Sequence, residues 1–189
     1  MKQARVLTDV ELKRLLAVIA LSKHAARNRL AIMLSHLAGL RVGEIASLRV
    51  GDVIDSDGQV RDQIRLSAAV TKGGHARVVF IGEKLRREID RFRAEWERSP
   101  MINTPLLVTQ KQTAFSANTL CQLMSKLYRE AGLNGASSHS GRRWFITKLA
   151  HAGVSLKVIM TLAGHRNMST TQRYVEVTDR HTRAAVELL

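Results

Sequence analysis

The chain has 189 residues, 45% of them hydrophobic and only two of them proline, a composition that suits a packed globular protein and excludes a disordered tail. Its 30 lysines and arginines against 16 acidic residues give a formal net charge of +14. That excess points to a polyanion, nucleic acid first, although a basic ribosomal protein or a membrane-surface binder would carry the same charge. Aromatic residues, at 4%, are too sparse for single-strand binding by base stacking, so contact with a duplex backbone fits better. One cysteine, Cys121, leaves no intramolecular disulfide and sets a reducing cytoplasm as the expected compartment. MKQARVLTDVELKR lacks the apolar core of a signal peptide, and LAIMLSHLAGL (30–40) is too short and polar to span a bilayer; no membrane partner is expected.

Thr8-Asp9-Val10-Glu11 reads as a capping box that starts a helix with an apolar face of Leu12, Leu15, Leu16 and Ile19. A second helix is expected over about 25–38, stopped by Gly39. GLRVGEIASL turns once and restarts as a short helix, which places Arg41 on a helix–helix turn and Glu44 one turn along. After the Asp57-Gly58 turn the period changes: QIRLSAAV and ARVVFIG read as strands around Lys72-Gly73-Gly74, in a small sheet expected to have three strands. Helices resume over about 83–98, where RREIDRFRAEWER alternates charge and reads as a solvated face. Pro100 and Pro105 mark a loop, and helices follow near 116–131, 140–152 and 155–163, closed by Gly132, Gly153 and Gly164. A basic tail from 179 reads as a final helix. The expected fold is mainly α with a small antiparallel β-sheet (α+β), in a single domain over 1–189 without repeats or a linker.

The chemistry gathers around AGHRNMSTTQRYVEV (163–177), where Tyr174 stands nine positions beyond His165. A phenol ionises near pH ~10 and is a poor nucleophile at neutral pH. It becomes useful where cations stabilise the charge it attacks and the leaving group is protonated as it departs. His139-x-x-Arg142 puts two such side chains on one face of a helix start, and Arg41 and Lys72 add a guanidinium and an ammonium. This inventory suits phosphoryl transfer, in which arginines clamp the non-bridging oxygens and follow the charge that builds on them.

At these residues the sequence resembles the tyrosine recombinase (phage integrase) family. GLRVGEI resembles its first arginine motif, TKGGHARVVFI its hairpin lysine motif, HSGRRWFIT its second box and AGHRNMSTTQRY its third. Each piece alone is weak; six matched positions in order, over essentially the whole chain, are a strong signal. The resemblance implies a site-specific recombinase or integrase that cleaves and rejoins DNA through a 3′-phosphotyrosine. Tyr174 would be the nucleophile. Arg41 and Arg142 would hold the phosphate, and Lys72 would be the general acid toward the 5′ oxygen. His139 would serve as general base or phosphate donor, His165 would bond a non-bridging oxygen, and Glu44 would brace the site. The bond energy stays in the phosphotyrosine, so neither metal nor ATP nor any other cofactor is expected. The implied partners are double-stranded DNA, three further copies in a tetramer on paired sites, and accessory DNA-bending or directionality proteins. The tail over 175–189 would dock on a neighbouring subunit, or fold back in a lone protomer. A cytoplasmic, nucleoid-associated enzyme of a mobile element is the expectation.

Three departures stand out. Arg143 follows Arg142 where many relatives carry a second histidine, with no catalytic loss expected. Phe80 replaces a proline of the third strand, expected as a packing change. An amino-terminal core-binding domain does not precede the first helix, which fits either a short recombinase, such as those of fimbrial phase switching, or an excised catalytic fragment. Two other functions stay open: relaxation of the type IB topoisomerase kind, and a DNA-binding regulatory module that does not recombine alone. Tyr128, in step with Leu123, Met124 and Leu127, reads as core. His24, His36, His75, His151 and His181 read as surface or core residues, and a zinc site from His139, His151 and His165 lacks completing ligands. Lys2, Arg5, Lys13, Arg14, Arg27 and Arg29 are candidate phosphate contacts.

Overall fold

The computed structural model describes residues 4–71, 74–96, 100–172, 174 and 186–187. Lys72 and nearly all of the 175–189 tail, with its expected final helix, lie outside the described residues.

The fold is built on α2 (Ala25–Ala38), in which successive residues from Leu30 to His36 are all buried. A helix buried all round must be sheathed by others. Those are α1 (Asp9–Ala20), α5 (Glu83–Arg93), α6 (Ala117–Glu130) and α7 (Ser140–His151), with the short α3 (Val42–Ser47) beyond its end. Thr8 and Glu11 form the expected capping box on α1, and Gly39 ends α2 in the left-handed conformation. α6 buries Leu120, Met124, Leu127 and Tyr128, so Tyr128 is a core residue as read.

α5 is less solvated than its charge pattern suggests. Leu85, Glu88 and Ile89 are buried on one face, and Arg29 of α2 grips Glu88 through Nε at 2.6 Å and Nη2 at 2.7 Å. Arg27 donates to Val108 O and covers the Phe115 ring, and Arg5 pairs with Glu11. Three of the candidate phosphate contacts therefore hold structure together.

The short helix α4 (Val50–Val53) leads into the sheet, which has two strands among the described residues rather than three. β1 (Gln63–Leu66) pairs antiparallel with β2 (Arg77–Phe80), with Ile64 opposite Val79. The expected first strand stops early because Ala68–Val70 turns into a 3-10 helix. Phe80 is 61% exposed, so it does not replace the family's proline by packing inward.

α7 lies close along α2. A Cβ on Gly141 would sit 2.6 Å from Ser35 Oγ and 2.7 Å from His36 Nδ1, so only glycine permits this approach. α8 (Leu156–Ala163) packs on α7, and α9 (Met168–Gln172), which the sequence reading did not anticipate, packs on α8. Ile146, Ala150, Ile159 and Ala163 form a second small core there, with Phe145, Leu149, Val154 and Tyr174 packed against it. Among the described residues no helix is long and apolar enough to cross a membrane.

Candidate active site

The last carbonyls of an α-helix find no partners within it and carry the negative end of its dipole. At the end of α8, three successive carbonyls each receive a guanidinium. Arg77 Nη1 donates to Leu162 O at 2.8 Å, Arg142 Nη2 to Ala163 O, and Arg41 Nη2 to Gly164 O at 3.3 Å. Arg142 also donates from Nη1 to Gly39 O at 2.6 Å, where α2 ends. Two helix ends thus aim their negative poles at one buried arginine.

Glu44 is the carboxylate among these cations, 1% exposed. It accepts Arg41 N–H at 2.7 Å, Arg41 Nη1 at 2.9 Å and Arg77 Nη2 at 2.7 Å, with Arg77 Nε at 3.3 Å. Burial pushes its pKa up, but the bonds and charge of Arg77, and then Arg41, outweigh that and hold it below the ordinary carboxylate value. Three guanidiniums for one carboxylate leave a surplus of positive charge. Arg142 feels it most: burial first, then Arg41 and Arg77, push its pKa down to about 9, which still leaves it charged at neutral pH. An anion placed here would relieve that repulsion.

His165 follows directly on the capped end of α8, with Nδ1 2.9 Å from the hydroxyl of Thr171 on α9. Burial, followed by Arg142, Arg41 and Arg77, pushes its pKa down to about 4, so it is neutral at physiological pH. Tyr174 stacks on the His165 ring, with centroids 6.3 Å apart and planes 22° from parallel. The Arg143 guanidinium also lies over the Tyr174 ring, 5.2 Å from its centre. Tyr174 thus packs beside the arginine cluster.

The structure brings Arg41, Glu44, Arg142, His165 and Tyr174 together. His139 occupies the N-cap position of α7, three residues before Arg142, without a side-chain capping bond, and is exposed. Lys72 lies outside the described residues; next to it in the chain, the Thr71 hydroxyl donates to His75 O at 2.8 Å. His75 in turn meets Arg166, next to His165. Among the described residues no group of three or more His, Cys, Asp or Glu side chains is placed to hold a metal ion.

Arg77 is the residue that the sequence reading missed. Its signal was its phase: on β2 it shares the inward face with buried Val79, where a charge demands a buried partner.

A sequence profile of the phage integrase family matches residues 5–181. The tyrosine recombinase XerA of Pyrococcus horikoshii is 33% identical over 185 residues, covering 96% of this chain and 60% of the relative. XerD of Neisseria meningitidis is 29% identical over 178 residues, covering 91% and 58%. Among solved structures, a XerA recombinase superposes with a TM-score of 0.75 at 23% identity, over 99% of this chain and 66% of that one. XerH bound to its difH substrate before cleavage gives 0.68 at 25% identity, over 98% and 54%. The chain thus spans about 60% of the length of the first of these relatives. With a family profile covering nearly all of it, the chain belongs to the phage integrase family.

Proposed function

We propose that this chain is the catalytic part of a site-specific DNA recombinase that works through a 3′-phosphotyrosine. The observation that carries the reading is the unmatched positive charge of Arg41, Arg77 and Arg142 around Glu44, with Tyr174 stacked beside it on a neutral His165. A phosphodiester is the anion such a site suits. Arg41 and Arg142 clamp its non-bridging oxygens, and their charge follows the charge that develops in the transition state. His165 is neutral, so it acts as a hydrogen-bond donor to one of those oxygens rather than as an acid. Tyr174 attacks phosphorus, the P–O5′ bond breaks, and a free 5′-hydroxyl leaves. His139 serves as general base or phosphate donor and Lys72 as the acid that protonates the departing oxygen, both by the family's pattern. Reversal of these steps with a new 5′-hydroxyl rejoins the strand. No metal or nucleotide is required.

The partner is double-stranded DNA, in keeping with the +14 charge and with XerH, which was solved on its DNA substrate. A homotetramer on paired sites, accessory DNA-bending or directionality proteins, exchange of the 175–189 tail between subunits and action at the nucleoid complete the proposal. Within it, residues 1–189 act as one catalytic domain. Recombination is favoured over relaxation because the relatives are named as recombinases. The test is a supercoiled plasmid carrying two candidate sites, incubated in chelator without ATP. Recombinant circles are expected; relaxed topoisomers without recombinants would shift the assignment to a topoisomerase.

A further inference from the structure

The inferred reaction asks Arg41 and Arg142 to hold a phosphate, yet Arg41 lies against a buried carboxylate that competes for it. Glu44 is 1% exposed, so its charge cannot be met by water. Arg77 meets it with two donors, Nη2 at 2.7 Å and Nε at 3.3 Å, while Arg41 Nη1 meets it with one. Arg77 is itself fixed by Leu162 O at 2.8 Å, and a Cβ on Gly164 would fall 2.6 Å from its Cδ. One side chain therefore joins β2 to the start of α3 and the end of α8.

We infer that Arg77 is a positioning residue that neutralises Glu44 and so leaves the charge of Arg41 free for the scissile phosphate. This rests on the recombinase reading above. Without Arg77, both carboxylate oxygens turn to Arg41, the pair neutralises itself, and Arg142 is left as the one uncompensated cation of the cluster. Arg77 does not touch the DNA in this scheme; it acts through Glu44. Its effect must therefore depend on Glu44 being charged.

The test is a double-mutant cycle of wild type, Arg77→Gln, Glu44→Gln and the two together, with melting temperature and DNA affinity measured beside single-turnover cleavage of a nicked duplex. Arg77→Gln is expected to cleave roughly 10- to 100-fold more slowly with DNA affinity within a few-fold. In the Glu44→Gln background the same change is expected to cost less than about 5-fold, because the charge it serves is gone. That comparison holds even if Arg77→Gln alone fails to fold. A second arm needs no cleavage: the rise in melting temperature on adding inorganic phosphate, taking as site-specific the part that Arg142→Gln abolishes. Arg77→Gln is expected to lose that part, and the double variant to match Glu44→Gln. An undiminished effect of Arg77→Gln in the Glu44→Gln background would overturn the inference, as would wild-type behaviour of Arg77→Gln in both arms. Wild type that fails to cleave would count against the recombinase reading alone, since the phosphate arm still decides the role of Arg77.

Discussion

Arg142 shows why this site needs a ligand. The residue is 6% exposed, and its guanidinium is held by the carbonyls of Gly39 and Ala163 and repelled by Arg41 and Arg77. The protein tolerates that repulsion because two helix ends and one shared carboxylate offset part of it. The rest becomes available binding energy for an anion, and in the proposed reaction for the charge that grows on the phosphate. Arg142→Gln is therefore expected to lower the cleavage rate on a nicked duplex by about 10²–10³. A loss confined to DNA affinity, with the rate at saturating DNA unchanged, would place Arg142 in binding alone. Arg143 donates from Nη1 to Ala4 O and faces the Tyr174 ring, so the departure at this position falls beside Tyr174.

At the scale of elements, the close approach of α7 to α2 governs where Arg142 points, and His36 lies in that contact. Nδ1 stands 2.9 Å from Ile32 O, which can only accept, so Nδ1 carries the proton; Nε2 is buried with no hydrogen-bond partner among the described residues. Burial pushes its pKa down to about 4 from an unfolded value of 6.5. The unfolded chain therefore binds the proton first as pH falls. The contribution of His36 is complete above pH 6.5, shrinks below it and is gone near pH 4, amounting to ~3 kcal/mol in all. Glu44 loses its own contribution only as pH falls through the carboxylate range, so the interval from about pH 7 to 5 reports mainly the buried His36 and the half-buried His165. Wild type is expected to lose melting temperature across that interval, and His36→Met to flatten the slope; an equal slope in both would refute the assignment.

Most of this architecture was legible because helix signals are local. Thr8 with Glu11 marked one start, and Gly39, Gly132, Gly153 and Gly164 marked four ends. The sheet was less legible: a strand depends on what pairs with it, and Ala68–Val70 curls into a 3-10 turn. Nothing local announced α9, a five-residue helix held through α8 and the bond from Thr171 to His165. The motif residues could be picked out because their spacing is fixed by chemistry. Arg77 hid because its partner Glu44 lies 33 residues away in the chain, a separation that only the fold closes.

For the whole molecule, the charge of +14 is not spread idly. Arg5, Arg27 and Arg29 hold backbone or side-chain partners, so in the proposed DNA complex the backbone would be met mainly by other basic residues and by the site itself. Backbone neutralisation releases counterions. Duplex affinity is expected to fall about 10³-fold or more as salt rises from about 50 to about 200 mM, as for a protein meeting six or more phosphates. A shallow salt slope in a filter-binding or anisotropy titration would contradict a backbone-dominated interface.

The central claim is that Tyr174 carries the DNA, and the chain has only one other tyrosine, Tyr128, which is buried in the main core. The most direct measurement is to trap the protein on a nicked duplex bearing its site, digest the covalent species and map the nucleotide-bearing peptide by mass spectrometry. The account predicts a 3′-phosphoryl link on Tyr174 in wild type and no covalent species in Tyr174→Phe, with duplex affinity retained within a few-fold. A link at any other residue, or a covalent band that survives Tyr174→Phe, would contradict it.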